Sequence, residues 1–513
     1  MKSHYLKTSL LCCAMIFVAG CDSGRLTYPF REVYNHYSSP EDSLKRRAVI
    51  YLEKYARYHA GVSFDILDRD DSPVDSFDGL HRYPSDTVAL RAFVDSGYHV
   101  RKGGTVPDCQ ALTEEYLIKN IDLAFEAWRQ PWAQHVDFDL FCESLLPYRV
   151  MNEELSGWRR YLRDKYAWVA DSVQDRTSTY EMMMYLVKAA RREVGLAGVP
   201  IPYSGFLTPV QMENIGYGTC VEDAQYFTMV LRAMGVPSAY MSARVTRMSL
   251  EHTGNVIFCR DTAFYTGLYE DRVFPFLPGY YDGAHLTRVV RKTFALSDTG
   301  PLPLFKTKDF PPGIDLFSQD MSQICYIDTL RYTLPDSLRK EKYAYLCIFQ
   351  RWKWLPVRYS RVAKDGSVCF PNTVIDCLYT IGTYRSGETS PVTVPFVFYG
   401  GNDFEPRIAT DEKHFQIQLS YNYNNENVVT KRMSTNFLNA ESEWERMEGD
   451  GQLYITNPET GLLEPSDDLT TPGLDRRYVL TLTDIPRYTV FYDDSLMLLR
   501  LWGIGRDSLC TPY

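Results

Sequence analysis

Near the middle of the chain, residues 216–223 read Gly-Tyr-Gly-Thr-Cys-Val-Glu-Asp, and an apolar run leads from there to Gly-Val-Pro at 235–237. Thr219 and Glu222 have the spacing of a capping box, which predicts a helix from about Cys220 to Met234. Apolar runs then predict strands at 237–245, 255–260 and 263–269.

The predicted helix start places a cysteine where a thiol is easily activated. Cys220 is expected at the first helical position, where the helix dipole and the free N–H groups favour an anion and lower the pKa of a thiol. The glycines before it let a substrate approach the backbone, and the same amides suit the oxyanion of an acyl transfer. Cys220 is therefore the candidate nucleophile. A small inert cysteine packed beneath a helix start fits the same residues equally well.

A nucleophilic thiol needs a base, and His252 is the candidate. It opens the apparent strand Glu-His-Thr-Gly-Asn-Val-Ile-Phe at 251–258. From there it can take the thiol proton and return it to a leaving group. A histidine at a strand start is also commonly structural. His285 is the weaker candidate base, because no predicted strand pairing brings it toward Cys220.

Hairpin geometry indicates an acid that would orient this histidine. If the two strands after residue 254 turn at Asp261-Thr262, directly paired residues have numbers that sum to 523, and His252 faces Asp271. Opposed residues share a face of the sheet, so the Asp271 carboxylate would hold one ring nitrogen while the other faces the thiol. The alternative is that Asp271 is a solvated residue at the end of its strand.

Together these motifs resemble the transglutaminase-like superfamily. The resemblance lies in Gly-Thr-Cys-Val-Glu-Asp-Ala at 218–224, in Leu-Arg-Ala-Met-Gly-Val-Pro at 231–237 and in the strand that carries His252. Arg-Lys-Thr-Phe at 291–294 is similar to the lipoprotein members of that family. The resemblance implies a papain-like α+β core over about 176–300.

The same resemblance implies a chemistry and shows one departure. Active members perform thiol-mediated acyl chemistry, either amide hydrolysis, including protease and peptide N-glycanase reactions, or cross-linking. The corresponding residues here are Cys220 and His252, and the spacing from His252 to Asp271 resembles that of the acid in the lipoprotein members. Gly254 stands where the family usually has a Trp that packs beside the catalytic ring. Its replacement implies a wider site or lost activity, and the superfamily includes members that are not enzymes.

The first 20 residues predict a targeting signal. Lys2 and Lys7 precede an apolar run at 10–18 that is too short to span a bilayer, and Val-Ala-Gly-Cys at 18–21 resembles a lipoprotein processing box. Cleavage there would make Cys21 the mature N-terminus, acylated for example with palmitate. The expected partner is a membrane, and the expected location is the outer membrane at its periplasmic or cell-surface face. An ordinary signal peptide with an incidental cysteine is the alternative.

Charge and cysteine content limit the other classes of function. A formal net charge of −10 offers no basic patch or stripe, so no nucleic-acid partner is predicted. Of 12 cysteines, two leave with the signal and Cys21 carries lipid, so 12 minus three leaves nine, an odd number with at least one unpaired thiol. No Cys-x-x-Cys pair is present, and the acidic stretch at 68–73 lacks the Gly and the final Glu of a calcium loop. No metal and no cofactor are predicted.

The patterns along the chain divide it into units. Helical periodicity is clear in the apolar face of 117–128, and Ser178 with Glu181 forms a second capping box that opens the transglutaminase-like part. Beyond about 300, apolar runs separated by Gly, Asn, Asp and Pro predict β-sandwich-like domains that divide near 400–402. The predicted units are a signal peptide at 1–20, a tether at 21–40, a mainly helical domain at 41–175, a transglutaminase-like domain at 176–300, a β-rich domain at 301–400 and a β-rich C-terminal domain at 401–513.

The sequence thus predicts a membrane-anchored, thiol-dependent amidohydrolase or acyltransferase that acts on a peptide, glycopeptide or glycan. The rival prediction is a non-catalytic surface lipoprotein that binds glycans or proteins through its β-rich domains. The intact Cys, His and Asp favour the enzyme. Gly254 and the β-rich second half favour the binding protein.

Overall fold

The computed structural model describes most of the first 406 residues and a set of strands beyond them. The described residues are 26–73, 99–190, 195–196, 205–215, 217–245, 250–266, 273–277, 286–297, 311, 314–350, 353–393, 396–401 and 403–406, together with the later strands whose bounds are given below. Over these residues the chain combines helices with sheets, in agreement with the α+β class. No helix among them is long and apolar enough to cross a membrane.

A helical region comes first. Its helices are α1 (Phe30–His36), α2 (Ser43–Ala56), α3 (Asp108–Ala111), α4 (Glu114–Trp128), α5 (Phe138–Ser144), α6 (Trp158–Tyr166) and α7 (Val169–Ser172). The apolar face predicted in α4 is buried, as Leu117, Ile121 and Phe125 show. The region also contains an antiparallel pair of strands, β1 (Ala60–Leu67) and β2 (His99–Pro107).

The next helix, α8 (Thr179–Ala190), begins where the sequence predicts. Ser178 Oγ caps it by accepting a hydrogen bond from the Glu181 backbone N–H at 3.1 Å. The Glu181 carboxylate instead accepts from the amides of Gln174 at 2.7 Å and Asp175 at 3.0 Å. Only the serine half of the predicted capping box therefore forms, because the preceding turn uses the carboxylate.

A six-stranded sheet follows two short strands and two helices. These elements are β3 (Gly195–Leu196), α9 (Pro209–Ile215), β4 (Tyr217–Gly218) and the longer α10 (Cys220–Ala233). The strands of the sheet are β5 (Ser238–Val245), β6 (Leu250–Phe258), β7 (Ala263–Thr266), β8 (Val273–Pro275), β9 (Leu286–Lys292) and β10 (Ser318–Asp320). Their order is β10-β9-β5-β6-β7-β8, and every neighbouring pair is antiparallel.

The centre of this sheet is covered on both faces. On one face, Tyr240 and Ile257 are buried in a cluster with apolar residues of α10. Side chains alternate along a strand, so Ala239 and Val256 point to the other face. There they are buried with residues of the β-rich region that follows. The sheet is therefore the layer between the helices and the β-rich region.

The β-rich region contains a second sheet and further strand pairs. Its strands are β11 (Ile327–Thr333), β12 (Tyr343–Gln350), β13 (Lys353–Arg361), β14 (Ser367–Val374), β15 (Cys377–Arg385), β16 (Glu388–Pro391), β17 (Phe396–Gly400) and β18 (Asp403–Pro406). The sheet order is β13-β12-β15-β17-β18, with β16 paired to β15, while β11 pairs with β14. The later strands are β19 (Lys413–Asn422), β20 (Arg432–Leu438), β21 (Trp444–Asp450), β22 (Tyr454–Thr456), β23 (Leu463–Pro465), β24 (Tyr478–Leu482), β25 (Tyr488–Asp493) and β26 (Leu498–Gly503).

Candidate active site around Cys220

The predicted capping box at the start of α10 is confirmed. Thr219 Oγ1 accepts a hydrogen bond from the Val221 backbone N–H at 3.2 Å. One carboxylate oxygen of the fully buried Glu222 accepts from the Thr219 N–H at 2.8 Å and from its hydroxyl at 2.7 Å. These bonds fix the first turn of the helix and hold a partly exposed Cys220 at its first position.

The other Glu222 oxygen holds a neighbouring loop against the helix start. It accepts from the Gly205 backbone N–H at 2.8 Å. Gly205 has a φ of +81°, in the left-handed region that side chains disfavour. A Cβ there would lie 3.4 Å from the Met151 side chain, an ordinary contact. Backbone conformation rather than space therefore requires glycine at this position.

A second buried carboxylate, that of Glu153, ties two more segments to the same helix. Gln225 Nε2, on α10, donates to Glu153 Oε2 and to the Leu207 carbonyl, both at 3.1 Å. Glu153 also accepts from the backbone amides of Val150 at 2.7 Å and Met151 at 2.8 Å. The loops around the thiol are thus attached to the helix that carries it.

Asn255 determines how α10 lies along β6. Its Nδ2 donates to the Ala224 carbonyl and to Thr228 Oγ1, each at 2.7 Å. Thr253 precedes Asn255 by two residues on the same face of β6, a distance of about 7 Å along the strand. Cys220 precedes Ala224 by four residues of α10, a distance of about 6 Å along the helix. Thr253 therefore lies beside the thiol, and its hydroxyl and backbone both influence the pKa of Cys220.

The pKa of the Cys220 thiol is raised, so the predicted lowering is wrong. Burial is the largest cause, and the carboxylates of Glu222 and Asp223 add to it. Contact with the Thr253 hydroxyl and backbone lowers the pKa without offsetting the burial. The helix dipole suggested a stabilised thiolate, but the thiol is largely buried and two acids follow it in the sequence. In the resting site the thiol is protonated at neutral pH.

His252 is half-buried on β6, where it pairs with Ala243 of β5. Burial lowers the pKa of its imidazole to about 4, so the ring is neutral at pH 7 and able to accept a proton. Because side chains alternate along a strand, Thr253 and Asn255 belong to the face of α10, and His252 belongs to the opposite face with Val256. The structure thus brings Thr253 to the thiol, and the pairing of Cys220 with His252 stays a prediction.

The hairpin that suggested Asp271 has a different register. Val256 pairs with Tyr265, so paired residues have numbers that sum to 521 rather than 523. The turn lies at 260–261, one residue earlier than predicted. The register argument for Asp271 is therefore wrong. Asp271 itself lies outside the described residues, so its contact with His252 stays a prediction.

Of the other residues that the sequence singled out, the structure describes Gly254 but not Cys21 or His285. Gly254 is buried on β6 and pairs with Met241 of β5. Within the described part of the chain, no group of His, Cys, Asp and Glu side chains could hold a metal ion.

Thr253 is not among the residues that the sequence predicted for the site. It lies inside the predicted strand at 251–258, which agrees with β6, but the sequence did not show which face of that strand packs on α10. Once Asn255 is known to face α10, the period of two along the strand brings Thr253 to the same face. The missing signal was therefore the tertiary contact of Asn255 with α10.

Comparison with known proteins gives a weak structural likeness. No family model matches the chain, and no curated protein matches it. Among solved structures, Legionella pneumophila LapG is similar at 14% sequence identity, over 26% of this chain and 76% of that chain, with a TM-score of 0.20. A TM-score this low is insufficient to transfer a fold or an activity.

Proposed function

We propose that this chain is a membrane-anchored, thiol-dependent amidohydrolase or acyltransferase that acts on peptides or glycopeptides. Cys220 is its nucleophile, His252 its general base and Asp271 the acid that orients the histidine. In this proposal, α10 and the sheet beneath it form a papain-like, transglutaminase-like core. One observation supports it above the others: the partly exposed Cys220 thiol stands at the capped start of a 14-residue helix and contacts the strand residue next to His252.

The proposed reaction begins with a neutral thiol and a neutral imidazole. The thiol proton passes to the His252 ring, and the Cys220 sulfur attacks the acyl carbon of the substrate. The imidazolium then returns the proton to the departing amine, which leaves an acyl-thioester on the sulfur. Water releases the acid and completes a hydrolysis, whereas a second amine in place of water completes a transfer.

The resting protonation states indicate what a reactive ion pair in this site would require. A raised thiol pKa and a lowered imidazole pKa both favour the neutral forms. A thiolate–imidazolium pair therefore needs an added stabilising charge or donor before it forms. In the proposal, Asp271 supplies the charge beside the imidazolium, and donors near Cys220 stabilise negative charge on the substrate.

A second function is favoured by the position of His252. Its side chain belongs to the sheet face away from α10, and burial is the cause of its pKa shift. A protonated thiol with the histidine on the other face suits a non-catalytic surface lipoprotein. Such a protein would bind glycans or proteins through the β-rich region, and the helix start would serve only to hold loops together.

The membrane anchor in this proposal is supported by the N-terminal sequence. Val-Ala-Gly-Cys at 18–21 follows a short apolar run and a basic start. A lipid on Cys21 would attach the chain to a membrane surface without a spanning helix. The proposed location is the outer membrane, at its periplasmic or cell-surface face.

Alkylation by iodoacetamide, read for each thiol by peptide mass spectrometry, tests the enzyme proposal. Cys259 is the matched control, because it is also partly exposed and burial raises its pKa to about 12, yet it follows a strand instead of starting a helix. We expect Cys220 to react faster than Cys259, and His252→Gln to slow Cys220 alone. Equal rates that His252→Gln does not change would exclude an activated Cys220 and favour the binding function.

A further inference from the structure

Thr253 carries a buried hydroxyl that lies beside the Cys220 thiol. The residue is 3% exposed, and apart from this contact its Oγ1 has no hydrogen-bond partner among the described residues. Asn255, on the same strand face, is by contrast bonded to α10 and to the Thr266 hydroxyl. Buried polar groups are nearly always paired, so an unpaired one beside a candidate nucleophile indicates a functional role.

This hydroxyl, on β6, lies next to the first residue of α10. The Asn255 bond to the Ala224 carbonyl fixes the strand against the helix, and the Thr253 hydroxyl and backbone both contact the Cys220 thiol. The Cys220 backbone N–H, at the first helical position, belongs to the amides that have no partner within a helix. A hydroxyl and a helix-terminal amide are therefore available next to the sulfur atom.

We propose that Thr253 is a catalytic residue whose hydroxyl, together with the Cys220 backbone N–H, binds the oxyanion formed when the Cys220 thiolate attacks a carbonyl carbon. The inference rests on the proposed function of Cys220. As the sulfur–carbon bond forms, the π pair of the carbonyl moves to its oxygen, which accepts hydrogen bonds from both donors. When that pair returns, the carbonyl re-forms, and the leaving group departs with the electrons of its bond and takes the proton from the base.

The charges around the site make such donors necessary. Glu222 and Asp223 oppose negative charge at the sulfur. The same repulsion opposes negative charge on an oxygen bound next to it. Preorganised donors in an enclosed site stabilise a developing oxyanion strongly, and loss of one typically slows the reaction by about 10²- to 10³-fold. The hydroxyl of Thr253 supplies a donor without adding a further charge.

Acylation by p-nitrophenyl acetate tests this step in the full-length protein. It passes through an oxyanion, whereas alkylation by iodoacetamide does not, and both reactions need the same thiolate. The ratio of the two rates at Cys220, read by mass spectrometry of its peptide, therefore cancels any change in thiol pKa. We expect Thr253→Val to lower this ratio by about 10²-fold, and Thr253→Ser, which keeps the hydroxyl, to leave it close to that of the native protein.

The controls separate this inference from the proposal on which it rests. An unchanged ratio in Thr253→Val, or an equal loss in Thr253→Ser, would overturn the role of the hydroxyl. If Cys220 is not acylated in the native protein, and Cys220→Ser releases p-nitrophenol at the native rate, the proposed nucleophile fails instead. Thermal unfolding confirms that each variant is folded, and Thr253→Ala, which also lacks the hydroxyl, replaces Thr253→Val if that variant does not fold.

Discussion

The Asn255 side chain donates a 2.7 Å hydrogen bond to the Ala224 carbonyl of α10, and this bond decides which residue of β6 lies beside the Cys220 thiol. A strand shifted by one residue would exchange the faces of all its side chains. His252 would then face the helix, and Thr253 would face the β-rich region. The content of the site therefore depends on a buried polar contact as well as on apolar packing.

Replacing Asn255 by Ala should destabilise the protein by about 2–4 kcal/mol, because the three buried hydrogen bonds of its side chain, with the Ala224 carbonyl and with the hydroxyls of Thr228 and Thr266, disappear. Urea unfolding measures this change. Asn35→Ala, at an exposed position of α1, is the control and should change stability by less than about 0.5 kcal/mol. Equal effects of the two substitutions would show that the Asn255 bonds do not hold the helix on the strand.

Loss of the cap on α10 should cost about 1 kcal/mol in Thr219→Ala. The first turn then frays and the thiol becomes more exposed. Since burial is the main cause of its raised pKa, alkylation of Cys220 should become faster near neutral pH. Thr113→Ala removes the cap of α4, whose Oγ1 accepts from the Tyr116 N–H at 3.2 Å, and should cost a similar stability without changing Cys220. A slower alkylation in Thr219→Ala would show that the helix dipole outweighs burial.

Local signals in the sequence predicted the parts of the site that depend on neighbours in the chain. The capping box of Thr219 and Glu222 and the Gly-Val-Pro ending place α10 within one residue of its predicted bounds. β5, at Ser238–Val245, also agrees with its predicted range. Hydrogen bonds over three or four residues determine the helix bounds, so no tertiary information is needed for them. The strand was predicted from its apolar run.

The hairpin register and the thiol pKa could not be predicted in this way. A turn at 260–261 and a turn at 261–262 change the paired position by two residues, so both put the same side chains on the same faces. Apolar alternation therefore could not distinguish them. The thiol pKa depends on how far tertiary packing encloses Cys220, and a capping pattern does not report enclosure.

Asp108→Asn should destabilise the protein by about 3–5 kcal/mol, because it leaves a guanidinium buried without its carboxylate. Asp108 accepts from Arg149 Nε and from the Tyr148 hydroxyl, both at 2.8 Å, and the paired side chains are 0% and 2% exposed. The ion pair of Glu115 with Lys119 is the exposed comparison, and Glu115→Gln should cause no measurable change. If both substitutions left urea unfolding unchanged, the buried pair would not be needed for the fold.

Cys21→Ser should release the protein from membranes or leave an unprocessed precursor, since serine cannot carry the thioether-linked lipid. Detergent phase separation and the mass of the N-terminal peptide measure the two outcomes. Cys13→Ser is the matched control, because it lies inside the apolar run and before the processing box. Equal membrane partitioning of the native protein and the Cys21→Ser variant would remove the anchor from the proposal.

The pH dependence of stability should show a contribution from His252. Burial lowers the pKa of its imidazole to about 4 in the folded protein, whereas an unfolded histidine titrates near 6.5. Between these values the unfolded chain binds more protons, so the folded state loses stability as the pH falls from about 6.5 to about 4. His252→Gln removes this loss. The stability of the variant relative to the native protein should therefore rise as the pH falls from about 6.5 to about 4. His59→Gln should show the same sign, since burial lowers the pKa of His59 to about 4 as well.

Titration of the His252 ring by NMR separates the two proposed functions directly. A pKa near 4 means that the resting ring is neutral, and any catalytic role then depends on a partner that arrives with the substrate or from Asp271. A ring that titrates above 7 would mean that a thiolate or a carboxylate already stabilises the imidazolium. Cys220→Ser and Asp271→Asn would identify that partner, because only the loss of the true partner lowers the pKa of His252 again. If neither substitution changes a pKa that stays near 4, and acylation of Cys220 is absent, the binding function is the better account of this site.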